Sequence, residues 1–264
     1  MARARATLRE GDDFLMRLAA DDIAERASLV ARTFEDACAL FGGTGHLAER
    51  LAELPNVSRV ARVEEGEATT ERLGLVAGSF DLVCAPLSLH AAVDLPGALV
   101  QCARALKPDG LLLAALPGPR TLQELREVLL IAESEVSGGA AQRVDLFAEV
   151  RDAGALLQRA GLALPVTDTD THVVRYGSLP DLVRDLRRMG ATFAEPTFAS
   201  RRVFQRAAEL YAERFADADG RLRATFEIVS MSGWAPHPSQ QKPLRPGSAT
   251  SRLADALGVP EEPV

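Results

Sequence analysis

The chain has 264 residues, 47% of them hydrophobic and 25% charged, with a formal net charge of -7. That is enough apolar material for a substantial core, and the length suits one large domain or a domain with an appendage. The acidic balance argues against nucleic acid as the main partner, because phosphate binding needs a basic surface.

Cys38, Cys84 and Cys102 lie in apolar surroundings without paired spacing. They read as free buried thiols of a reducing compartment, not as a disulfide frame or a zinc site. No apolar run approaches the ~18 residues that a spanning helix needs, so no membrane span is expected. The opening "MARARATLRE" is arginine-rich but short and poor in serine, and reads as a solvated terminus instead of a transit peptide. The Ala- and Arg-heavy wording points to a bacterial, cytoplasmic protein.

A first helix is expected over 12–32, with Phe14, Leu15, Leu18, Ile23, Ala27 and Val30 on its apolar side. "ACALF" then reads as a buried strand closed by Gly42-Gly43, and Leu47, Leu51 and Leu54 continue at helical spacing up to Pro55-Asn56. "VSRVARV" is a second strand ending at Glu64-Glu65. The segment 66–78 is polar and poorly periodic, and "SFDLVCAPL" is a third strand. Asp94 caps a helix that tolerates Pro96 in its first turn, and "KPDG" turns the chain into the continuous apolar strand "LLLAAL". Thr121 and Glu124 have capping-box spacing ahead of a helix that ends at Gly138-Gly139.

A helix from about Asp152 to Gly161 precedes the strand "LALPVTDTDTHVVRY". Ser178 caps a helix through Met189, another runs over about 200–215, and "LRATFEIVSMSGW" is the last strand. The expected fold is α/β: a mostly parallel seven-stranded sheet with helices on both faces and a small helical insertion before the last strand. In domain terms this gives an N-terminal helix (1–33), a Rossmann-like core (34–177), a helical lid insertion (178–218), the last core strand (219–236) and a tail (237–264).

"GGTGHLAERL", "GSFDLV" and "LKPDGLLLAAL" resemble motif I, the fourth strand and the turn into the fifth strand of class I adenosylmethionine-dependent methyltransferases. "LSLHAAVDLPGAL", "TLQELREVLLIAESEVSGG" and above all "SGWAPHPSQQKPLRPGSA" are similar to the mitochondrial complex I assembly factor 5 family and its bacterial relatives. That group is related in turn to the malonyl-carrier-protein methyltransferase of biotin synthesis. The resemblance covers nearly the whole chain. It implies adenosylmethionine as cofactor and, for the mitochondrial member, hydroxylation of an arginine on a complex I subunit.

Gly42, Gly43 and Gly45 would let backbone approach the cofactor, and the helix after them would point its N–H groups at the site. Glu64 or Glu65 would hold the ribose hydroxyls, since a carboxylate accepts two such bonds well. Pro86 and Leu87 complete the expected cofactor-binding set. The family pattern has an acid at the Ala39 position, a glycine at Phe41, a tryptophan at Ala91 and Gly-Gly-Asp at Gly118-Pro119-Arg120. These departures would weaken the hold on adenosylmethionine.

His90, just past the third strand, is the candidate catalytic base, weighed against a structural role. His237 and Trp234 either shape the cleft or pin the tail. Arg126 and Glu133 read as surface pairs of little consequence. No histidine and carboxylate cluster has metal-ligand spacing, so no metal site is expected. Three functions compete: methyl transfer to an unknown acceptor; assembly or maturation of respiratory complex I, as arginine hydroxylase or chaperone of a client subunit; and a cofactor-free relative acting as a binding partner.

Overall fold

The apolar runs become the middle of one mixed sheet. A computed structural model describes residues 13–64, 69–139, 141–145, 147, 149–189 and 199–241. Its strands are β1 (Phe34–Leu40), β2 (Val57–Val63), β3 (Phe80–Ala85), β4 (Leu106–Pro117), β5 (Ala163–Tyr176) and β6 (Leu222–Trp234). Their order is β2-β1-β3-β4-β6-β5. The first four run parallel, while β6 is antiparallel to both β4 and β5.

The expected seven-stranded, mostly parallel sheet is thus corrected to six strands with a mixed pattern among the described residues. Between β2 and β3 the described residues form only the bridge Thr69–Arg72, because this polar stretch has no apolar run to bury. The alternation of "VTDTDTHVV" in β5 is the mark of a half-solvated antiparallel edge, whereas strands of a parallel sheet are buried on both faces.

The helices are α1 (Phe14–Ser28), α2 (His46–Ala52), α3 (Leu95–Ala105), α4 (Gln123–Ser137), α5 (Val150–Arg159), α6 (Leu179–Arg188) and α7 (Arg201–Phe215). On one face of the sheet, α1 and α2 set Ala19, Ala20, Ile23, Leu47 and Leu51 against Ala37, Ala39, Leu82 and Leu113. On the other, α3 and α5 pack Leu99, Cys102 and Leu157 against Cys38, Leu40, Val83 and Leu112. A further cluster joins α4, α6 and α7 around buried Tyr211, against Tyr176, Leu222 and Phe226 of β5 and β6.

Side-chain caps match the expected starts at Asp94, which accepts from the Gly97 N–H (2.9 Å), and at Ser178 and Ser200, which accept from Asp181 and Val203 N–H groups (3.3 Å each). "KPDG" does not separate helix from strand. It lies inside β4, with Asp109 at φ 64° and a register shift against β3, so its turn chemistry makes a bulge.

The expected Thr121–Glu124 capping box does not form. Thr121 Oγ1 instead donates to the Glu227 carbonyl (2.9 Å) and accepts from the Glu227 N–H (3.1 Å). Glu124 accepts from the Thr225 N–H (3.1 Å) and from the Thr225 hydroxyl. Both side chains therefore dock the start of α4 onto β6. Arg126 and Glu133 also do more than sit on a surface. Arg126 donates to the carbonyls of Pro119, Thr121 and Asp145, and Glu133 pairs with Arg143 and the Ala141 N–H, which ties the chain after α4 back to that helix.

Candidate cofactor site

The carboxyl ends of β2, β1, β3 and β4 lie side by side, and the turns leaving them form the site expected in an open α/β sheet. At β1 the Phe41 N–H donates to the Val63 carbonyl (2.7 Å), which carries the ladder one residue past the strand. The backbone then turns through left-handed conformations at Phe41 (φ 53°), Gly43 (φ 70°) and Gly45 (φ 96°). The first of these is the position where the family pattern has glycine. Phe41 thus holds a glycine-like backbone, at a cost of roughly 1–2 kcal/mol for a residue with a Cβ. The Phe41 ring is 1% exposed and belongs to the α3–α5 core, with Leu73, Leu89 and Leu99.

Glu64, one residue past β2, faces this turn. Its Oε2 accepts from the Gly43 N–H (3.3 Å) and its Oε1 from Arg62 Nε (2.7 Å). Arg62 also donates to the Gly43 carbonyl (2.7 Å), and a Cβ on Gly45 would stand 2.7 Å from the same guanidinium. The Glu64–Arg62 pair thus braces the turn. Each Glu64 oxygen makes one of these bonds and retains acceptor capacity for a ligand hydroxyl. Glu65 lies outside the described residues.

At β3, Pro86 is buried, and Leu87 (φ 41°) donates its N–H to the Ala115 carbonyl (3.0 Å), which joins the turn after β3 to the carboxyl end of β4. Ser88 is fully buried, and its hydroxyl has no hydrogen-bond partner among the described residues. His90 sits in the short helical turn Leu89–Ala91 and meets the Phe147 ring edge-on at 6.1 Å.

Past β4, the Gly118 N–H donates to the Glu227 carbonyl (2.8 Å) and the Arg120 N–H to Glu227 Oε2 (3.0 Å). A Cβ on Gly118 would come within 2.3 Å of that carboxylate, so only glycine leaves Glu227 its place. Glu227, 7% exposed, was not visible as a site residue in the sequence beyond being one acid in a buried strand.

A second overlooked acid is Asp13, immediately before α1. It is 1% exposed, its Oδ2 accepts from the Thr44 hydroxyl inside the glycine turn, and its Oδ1 has no partner among the described residues. Its only sequence signal was its position at the start of the first apolar helix.

Trp234 and His237 do not belong to the site. Trp234 pairs with Leu111 and Ile228 with Pro117, so Trp234 lies about 20 Å along the sheet from the carboxyl edge. Ala235 exchanges backbone bonds with Asp109 and Gly110, and Gln240 donates to Asp109 Oδ1 (2.9 Å), which pins the tail at the opposite edge. His237 pairs with Ser239 (2.7 Å). Burial pushes the thiols of Cys38 and Cys102 up to about 12 and raises that of Cys84 well above its ordinary value, so none supplies a thiolate near neutral pH. Among the described residues no three His, Cys, Asp or Glu side chains gather as a metal site, and no helix is long and apolar enough to cross a membrane.

The residues at this edge fit adenosylmethionine: a glycine turn open to close backbone approach, a carboxylate beside it with acceptor capacity to spare, and a buried acid with an unpaired oxygen at the same turn.

A methyltransferase-domain family model matches residues 42–114. The chain is 36% identical over 262 residues to "Arginine-hydroxylase NDUFAF5, mitochondrial" of Danio rerio, covering 92% of this chain and 82% of that protein. It is 35% identical over 184 residues to the malonyl-[acyl-carrier protein] O-methyltransferase of Laribacter hongkongensis, covering 68% of this chain and 59% of that one. Among solved structures it resembles YcgJ of Bacillus subtilis, with a TM-score of 0.56 at 14% identity over 83% of this chain and 98% of that chain, a likeness of fold alone. Together with the glycine turn and the sheet order, these likenesses show that the chain belongs to the NDUFAF5 family, within the class I methyltransferase superfamily.

Proposed function

We propose that the chain binds adenosylmethionine at the carboxyl edge of its sheet and transfers a methyl group to an acceptor. The observation that carries this reading is the left-handed backbone at Phe41, Gly43 and Gly45 beside Glu64. When bound, the cofactor supplies an electrophilic methyl group. The chain's part is to hold the reactants in line and exclude water, which needs few obligatory side chains. Gly43 and Gly45 give backbone access, Glu64 accepts from the ribose hydroxyls, and Pro86 and Leu87 wall the site. His90, in the short helical turn after β3, is the candidate to take a proton from an acceptor. Equilibrium dialysis with labelled adenosylmethionine tests the reading. Saturable binding of about one ligand per chain is expected, and no retention at millimolar ligand refutes it in favour of a cofactor-free binding protein.

A second reading is favoured by the extent of the likeness. The NDUFAF5 relative matches 92% of the chain, against 68% for the malonyl-carrier-protein methyltransferase. On that reading the same edge serves respiratory complex I assembly, with an arginine of a client subunit as the modified group or with the client simply chaperoned. Mass spectrometry of complex I subunits from strains with and without the gene tests it: a modified arginine or an assembly defect that depends on the gene supports it, and identical subunits with normal assembly refute it.

A further inference from the structure

Asp13 is a buried carboxylate that the chain leaves half satisfied. Oδ2 accepts the Thr44 hydroxyl, the Asp13 carbonyl accepts the Arg17 N–H (2.9 Å), and Oδ1 has no partner among the described residues. No described lysine or arginine side chain neutralises it. One hydroxyl is little compensation for a carboxylate, which has four acceptor sites and loses several kcal/mol of hydration on burial. A cationic group at that turn would complete it.

Its location explains the departure at Ala39. The acid of the family pattern would stand on β1, but here Ala39 is 1% exposed in the cluster that seats Ala19 and Ala20 of α1 on the sheet. The strand therefore presents a methyl group to that helix where the family pattern has a carboxylate. Asp13, at the start of that same helix, brings one to the same turn from above the same face of the sheet.

We propose that Asp13 is the anionic partner of a cationic ligand group at the glycine turn, replacing the acid missing from β1. Resting on the adenosylmethionine reading, it holds the ammonium of the ligand's amino-acid end. Calorimetric titrations of the full chain and of Asp13→Asn with adenosylmethionine, adenosylhomocysteine and methylthioadenosine test this, because only the first two carry that ammonium and only the first a methylated sulfonium. Asp13→Asn is expected to weaken adenosylmethionine and adenosylhomocysteine about tenfold or more, the scale of a lost charge-assisted bond, and methylthioadenosine less than about twofold.

Equal weakening of all three ligands assigns Asp13 a structural role and overturns the proposal. Weakening of adenosylmethionine alone moves the carboxylate to the sulfonium and overturns the ammonium assignment. Unchanged binding by the variant overturns the role of Asp13 while the adenosylmethionine reading stands. Failure of the unaltered chain to bind any of the three overturns both.

Discussion

Phe41 sets two opposed effects against each other, and their magnitudes decide what its replacement does. The backbone there has a φ of 53°, a conformation that costs a residue with a Cβ roughly 1–2 kcal/mol. The ring is 1% exposed in the α3–α5 core, and emptying such a site costs about 3–5 kcal/mol. Packing wins. Phe41→Gly relieves the backbone and loses the ring, for a net loss of roughly 1–4 kcal/mol. Phe41→Ala loses the ring and keeps the backbone cost, and should fall about 1 kcal/mol below Phe41→Gly. At an ordinary strand position the order would be the reverse, since glycine there is the worse residue. Urea denaturation followed by circular dichroism, with the denaturant slope checked for constancy, measures both differences. Phe41→Ala as stable as Phe41→Gly would refute the left-handed turn, and Phe41→Gly as stable as the unaltered chain would refute the burial of the ring.

Thr121→Val should cost about 1–3 kcal/mol, because it leaves the buried Glu227 backbone N–H without its hydroxyl partner and its carbonyl with the Gly118 N–H alone. Glu124→Ala should couple strongly with Thr225→Val and weakly with Thr121→Val in double-mutant cycles, whereas a capping box would reverse that order. The Arg143 guanidinium and the Ala141 N–H hold the Glu133 carboxyl below its ordinary value of 4.5. A depressed carboxylate contributes stability that is present above that value and lost as pH falls through the folded one. Denaturation at descending pH should therefore show a larger loss below about pH 4.5 for the unaltered chain than for Glu133→Gln, and parallel profiles would contradict the pair. The three buried thiols should resist an aromatic disulfide reagent at neutral pH until the chain is unfolded, and rapid native labelling would contradict their burial.

What the sequence showed well were features set by a few adjacent residues. The β1–turn–α2 unit was legible because an apolar strand, close-set glycines and a helical leucine repeat follow one another directly. The caps at Asp94 and Ser178 were legible because each side chain bonds an N–H three residues on. Features that depend on distant pairing were not. Thr121 and Glu124 have the spacing of a local cap, yet their partners lie more than a hundred residues away on β6. Trp234 and His237 seemed able to reach the cleft until the register of β6 against β4 put them at the other edge. The sheet was overcounted because seven strands came from the fold resemblance, whereas the apolar and alternating runs of the chain number six, as do the strands among the described residues. Asp13 and Glu227 were single acids in a helix start and a strand, and only the three-dimensional arrangement brings one to Thr44 and the other to Gly118.

The glycine turn after β1, with Phe41 in its first left-handed position, is read here as holding adenosylmethionine. A crystal structure with adenosylhomocysteine tests it most directly. The ligand is expected across the carboxyl edge of β1 and β2, with the ribose hydroxyls on Glu64 and the ammonium on Asp13. A saturated crystal in which that edge stays without ligand, or in which the ligand lies away from the Gly43–Gly45 turn, would contradict it.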